Sequence, residues 1–225
     1  MPSHEGIRNE ENLTFIEKLR EEQTLPSNKM IQWWKNIKVI VVNRKRNKEL
    51  IKNCPHRNVV DLAAIYRIDA DEILGGYVTK EVQHYLGVDE KDLFFFAQKN
   101  FLEKKPFKIL DLEDIENMKN LTSEKNDVAK AILFKSVLDE MAASMNDDIY
   151  IIPIDPCDLL FVDSKCWKGK EWRLLKNLKE SNEHILNEAD FLSDNIYHYN
   201  REKRKLTLIR QDDLRENENE EDVID

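Results

Sequence analysis

The sequence predicts an α+β fold, a mixed or mostly antiparallel sheet of about six strands with helices packed on it. Three observations carry that expectation. Short β-branched apolar runs and longer stripes at helical spacing are interleaved without a strict βαβ rhythm. Only 5 glycines and 6 prolines are present, too few for a turn-rich all-β sandwich. Charged residues reach 35 %, against roughly 25 % in an ordinary globular domain, and Lys and Glu in that quantity favour helix.

Taken in order, "NLTFIEKLREEQ" places Phe15, Ile16 and Leu19 at helical spacing. Ser27 is a candidate N-cap for "SNKMIQWWKN". "IKVIVVN" reads as a strand, "RKRNKELIKN" as a turn and short helix stopped by Pro55, and residues 58–69 as a second, buried strand. Gly75 and Gly76 mark a turn, and Thr79 caps "KEVQHYLG". Asp89 and Asp92 form an acidic version of the capping box for a helix with Leu93, Phe94, Ala97 and Phe101 on one face. Asp111 opens an acidic helix, "LEDIENMK", and residues 131–145 give a helical stripe from Phe134 to Met145. Strands follow at 149–152 and 159–163, then a long amphipathic helix in "KEWRLLKNLKESNEHIL", then a terminal hairpin around "REKRK".

This organisation divides the chain into a helical N-terminal extension (1–35), an α+β domain (36–210) and a disordered acidic tail (211–225). The tail holds eight of the 44 acids and one of the 35 bases, leaving 36 acids against 34 bases elsewhere. The net charge of −9 is therefore a property of the tail, and the body carries both signs interspersed on a solvated surface. Three cysteines at wide spacings read as free thiols in a reducing, cytoplasmic setting. No apolar run approaches the length of a membrane span.

Four sets of residues are candidates for function. "IPIDPCDLL" puts Asp155, Cys157 and Asp158 at a bend between two strands; they are the weak candidates for catalysis, and the bend itself explains them as turn residues. Adjacent Trp33 and Trp34 point about 100° apart on a helix, so one of them is available for a protein contact. Arg44, Lys45 and Arg46 in one turn and Arg204 in another would contact phosphate if the turns lay side by side; solvated turns are the plainer reading. Cys54, His56, Cys157 and Cys166 lack the repeated short spacing of a zinc site, and no glycine loop for nucleotide phosphate is present, so no metal or cofactor is expected.

The fourth set comes from a resemblance. "VVNRKRNKELIKNCPHRNVVDLAAIYRI", "GGYVTKEVQHYLGVDEKDLFFFAQKN", "DDIYIIP" and "FLSDNIYHYNREKRKLTLI" occur in an order that resembles the bacterial family catalogued as domain of unknown function 5688. The resemblance spans about residues 37 to 210 and implies family positions at Asn43, Asn47, Pro55, Asp61, Leu62, Pro153, Ser193 and Asp194. After its Pro the family tends to show two serines and, past an apolar residue, His-Glu. Here Ile154 and Asp155 replace the serines, and Cys157 and Asp158 stand in the last two places. The resemblance thus carries fold and span rather than an activity, and it implies a phage or mobile-element setting. The expected function is a non-enzymatic protein-binding module, such as a mobile-element factor that inhibits a bacterial defence enzyme. A degenerate hydrolase using the 155–163 turn and a nucleic-acid-binding regulator are the alternatives.

Overall fold

The computed structural model describes residues 33–69, 75–104, 107–112, 118–123, 128–185, 187–210 and 212. The helix at 12–23, the Ser27 cap and nearly all of the acidic tail lie outside these residues. The fold is α+β, as the interleaved periodicities predict, but its strands divide between two sheets rather than one. The chain also divides into two compact units. Of the described residues, the first holds 33–40, 44–58 and those of 63–104; the second holds 41–43, 59–62 and those from 107 onward.

The four-stranded sheet consists of β1 (Ile37–Asn43), β2 (Arg57–Val59), β3 (Leu62–Asp69) and β4 (Gly75–Tyr77), in the order β1-β3-β2 with β4 also on β3. Strand β1 alternates, burying Ile37, Val39, Val41 and Asn43, the period expected of a half-covered strand. The apolar run at 58–69 is not one strand. It breaks at Val60, whose φ of +54° is unusual for a β-branched residue, and restarts at Leu62. Gly75 and Gly76 pair with Asp69 and Ile68, so the expected glycine turn is instead strand β4. Helix α1 (Lys48–Asn53) ends at Cys54, and a buried Pro55 follows.

Two further helices of the first unit start as their caps predict. In α2 (Lys80–Leu86) the Thr79 hydroxyl accepts from Val82 N at 3.2 Å. At α3 (Glu90–Lys104) Asp92 N donates to Asp89 Oδ1 at 2.9 Å while Asp89 N donates to Asp92 Oδ2 at 3.2 Å. This is the reciprocal capping box with an Asp in the Glu place. Leu93, Ala97 and Phe101 of α3 are buried, as their spacing requires. Asn100, also buried, donates to the carbonyls of Trp34 and Ile37 at 2.7 and 2.9 Å, tying α3 to the entrance of β1.

The six-stranded sheet of the second unit is antiparallel throughout, in the order β10-β9-β7-β8-β6-β5. Its strands are β5 (Lys108–Asp111), β6 (Met118–Thr122), β7 (Ile149–Asp155), β8 (Asp158–Asp163), β9 (Ile196–Asn200) and β10 (Lys205–Ile209). Met118 and Lys119 thus belong to a strand and not to the acidic helix expected there; positions 113–117 lie outside the described residues. The helix expected over 131–145 starts late. Residues Ala129–Leu133 form a 3-10 turn, Phe134 is extended, and α4 runs Lys135–Met145. A short α5 (Ser164–Trp167) precedes α6 (Glu171–Asn182). Leu174, Leu175 and Leu178 of α6 cover one sheet face, against Tyr150, Ile152, Val162 and Ile196. Tyr199, which alternates with His198 and so points to the other face, reaches Asp139 of α4 at 2.6 Å.

Candidate functional site

The bend between β7 and β8 is a tight hairpin in which Asp155 faces Asp158 across Pro156 and Cys157. Asp155 Oδ1 accepts from Cys157 N at 2.6 Å and from Asp158 N at 2.9 Å, the turn that Asp side chains make with backbone two and three residues on. Asp158 Oδ1 accepts from Asn120 Nδ2 at 3.0 Å. The carbonyls of Pro156 and Cys157 are bonded in turn, by Val128 N and Ala129 N and by Ser123 N. Burial raises the Asp155 carboxyl above its ordinary range, with the Asp158 and Asp190 charges adding to it, although both N–H donors act the other way. Pro153, one of the family-like positions, is buried in β7 beside the register shift that ends the ladder. The bend therefore has the bonding of a braced corner.

Family-like positions converge elsewhere. Asp61, delivered by the sharp turn at Val60, accepts from Ser193 Oγ at 2.6 Å, Asn195 Nδ2 at 2.9 Å and Tyr197 OH at 2.8 Å. Ser193 Oγ also accepts from Asn195 N at 2.9 Å. Asn43 Nδ2 donates to Leu192 O at 2.8 Å, and Asn182 Nδ2 bridges Ser193 O and Asp194 Oδ1 at 3.0 and 2.9 Å. Ser193 and Tyr197 are fully buried. Burial pushes the Tyr197 phenol well up, and the Asp61 charge beside it acts in the same direction. A partly covered carboxylate holding three donors, two of them on fully buried residues, locks a segment in place. Asn47 is the residue before α1 and makes no side-chain cap there; Pro55 follows the helix. Ser193 is legible only through the family pattern, and Asn195 and Tyr197 lie in the same family-like stretch and predicted hairpin, with nothing local to point them at Asp61.

The aromatic candidates occupy the first unit. Trp34 lies 4.5 Å from Phe96 of α3, centroid to centroid, and both Trp33 and Trp34 are half-buried. Phe95 meets Phe96 edge-on at 5.4 Å and is 60 % exposed. Over the adjacent Phe94 ring sits Arg57, at 3.7 Å, which grips Glu90 with two nitrogens at 3.1 and 2.9 Å; Glu90 also accepts from Tyr66 OH. Phe95 was not singled out as a contact residue, because a three-Phe run on a helix does not say which ring faces outward.

The basic candidates are distributed between units. Arg44, Lys45 and Arg46 form an exposed turn of the first, whereas Arg204 belongs to the β9–β10 turn of the second. Arg204 donates through Nε and Nη2 to Asp139, so its guanidinium is committed to a carboxylate. Among the described residues no group of three or more His, Cys, Asp or Glu could hold a metal ion, and no helix is long and apolar enough to cross a membrane. Among the described residues no disulfide joins the cysteines; Cys54 is buried, and burial pushes its thiol up to about 11.

Residues 10–128 match the model of DUF5688, described as a family of unknown function. No curated protein and no solved structure matches the chain. The match starts earlier than the resemblance read from the motifs, so Trp33 and Trp34 fall within the family segment. It ends before Pro153 and Asp194, which therefore lie outside the matched segment.

Proposed function

The chain belongs to the DUF5688 family of unknown function, and from that starting point we propose that it is a non-enzymatic protein-binding module. The observation that carries this reading is Phe95, a large aromatic 60 % exposed on α3, which meets Phe96 edge-on while Phe96 packs in turn on Trp34. Covering such a ring with another protein is worth up to about 1.5–3 kcal/mol, which makes it a suitable anchor. The occupant is an apolar patch of a second protein. Free thiols fit a cytoplasmic setting. Asp155 Oδ1 takes two backbone donors, the bonding of a turn residue, which favours a structural bend over a hydrolase built on Asp155, Cys157 and Asp158.

The test is affinity capture with the full chain and with Phe95→Ala, whose side chain is exposed enough to leave folding intact. A stoichiometric partner held by the wild type and lost from the variant supports the reading. Equal capture by both, or no partner, overturns it. The more specific role, a mobile-element factor that inhibits a bacterial enzyme, requires in addition that the partner lose activity when titrated with the chain.

A further inference from the structure

A run of positive charge passes from α5 into α6. Lys165, Lys168, Lys170, Arg173, Lys176 and Lys179 are all exposed, and between the first and the last of them stands one acid, Glu171. The chain as a whole carries −9, so this stretch reverses the local sign. Glu171 is half-buried and accepts from Tyr150 OH of β7 at 2.5 Å, which engages its carboxylate on the sheet side. Helix α6 lays Leu174, Leu175 and Leu178 on the sheet, so its cations stand on the open side. There Trp172, Lys176 and Lys179 follow one another at i, i+4 and i+7. Trp172 is half-buried, and the Arg173 guanidinium lies 5.1 Å from its ring centre. The neighbouring acids take up only part of the charge. Lys165 pairs with Asp147 at 3.3 Å and Lys176 with Glu180 at 3.9 Å, while Asp163 accepts from Lys165 N and Glu183 lies past the last cation. Among the described residues no carboxylate is within ion-pair distance of Lys168, Lys170, Arg173 or Lys179. We propose that this face binds a single strand of nucleic acid along its phosphates, with Trp172 stacking on an unpaired base.

Three kinds of anionic partner could answer such a face, and the residues choose among them. A helix that lies on an anionic membrane sinks its apolar face into the lipid, and here that face is already spent on the sheet. An acidic protein surface is answered best by Arg and aromatic residues, whereas all but one of these six cations are Lys, a residue depleted from protein interfaces. Lys is a compact point charge that holds phosphate without a fixed geometry, and a row of them suits a phosphate backbone. Trp172 then decides for a strand over a duplex. Binders of single strands combine a basic track with an aromatic ring on which a base stacks, and a paired base cannot present its face. The surface belongs to the second unit and is independent of Phe95.

Fluorescence anisotropy of a labelled oligothymidylate, titrated with the full chain across a range of salt, tests this. With the four cations that lack a carboxylate each neutralising one phosphate, log affinity should fall against log salt with a slope of about −3. Lys168→Ala, Lys170→Ala and Lys179→Ala combined change only exposed side chains; they should bring the slope to about −1 and weaken binding roughly tenfold or more at low salt. Trp172→Ala should weaken binding roughly fivefold or more and leave the slope where it was. Failure to bind the strand at low salt, or equal binding by the wild type and the triple variant, overturns the proposal. So does binding of a duplex of the same length, or of phosphatidylglycerol vesicles, as tightly as the strand. Should Trp172→Ala fail to fold, the triple variant and the duplex still decide.

Discussion

Asp61 joins three side chains that lie 132 to 136 residues further along the chain. Two of these, Ser193 and Tyr197, are fully buried, so deleting the carboxylate strands hydroxyls where water cannot replace it. Asp61→Ala should lose roughly 2–4 kcal/mol in urea unfolding, and Asp61→Asn should lose less because the amide oxygen still accepts. A variant as stable as the wild type would show the network to be dispensable. The sequence could not have revealed these partners from spacing, since a contact across more than a hundred residues leaves no local trace. Asp61 itself stood out only through the family pattern, and Val60, the residue whose positive φ aims it, is a residue type that argues for continuing the strand.

Among the elements, the β7–β8 hairpin shows how one side chain fixes a register. Asp155 Oδ1 satisfies the N–H groups of Cys157 and Asp158, and a slip by one residue would move every side chain of β8 to the opposite face of the sheet. Asp155→Ala should cost roughly 1–2 kcal/mol, read as a lowered denaturation midpoint with an unchanged slope. A loss below a few tenths would mean that the two strands hold the turn unaided. Elements whose signal is local were legible in the sequence: this hairpin, the Thr79 cap, the Asp89–Asp92 box, the leucine face of α6 and the terminal hairpin all follow from residues within a few positions of one another. Those decided by distant pairing were not. Gly75 and Gly76 form a strand because β3 offers them an edge, and Met118 is a strand residue because it pairs with Val162 of β8. Phe134 is an apolar residue on the predicted stripe, yet it is extended, and the stripe's start is a 3-10 turn whose residues are still buried. The division of strands between two sheets has the same origin, because sheet membership depends on which strands meet.

For the molecule as a whole, the tyrosines set a limit on stability in alkali. Tyr66, Tyr150, Tyr197 and Tyr199 are all buried. Burial raises each phenol, and each donates to a carboxylate, Glu90, Glu171, Asp61 and Asp139 respectively, that raises it further. Tyr199 is pushed up to about 12, with Arg204 pulling the other way. An unfolded tyrosine ionises near 10. Below that value both states keep the proton and these four groups leave stability unaffected. Above it the unfolded chain gives up protons that the folded chain retains, so stability falls as pH rises, by about 1.4 kcal/mol per pH unit for each such tyrosine until its folded value is passed. With four acting together, the melting temperature should drop steeply between pH 10 and pH 12. Tyrosinate absorbance should lag that of free tyrosine and then rise in step with the loss of far-ultraviolet dichroism. The contrary result, smooth ionisation near pH 10 with the dichroism intact, would mean that these hydroxyls reach water in the native molecule and that the Asp61, Asp139, Glu90 and Glu171 contacts do not hold in solution.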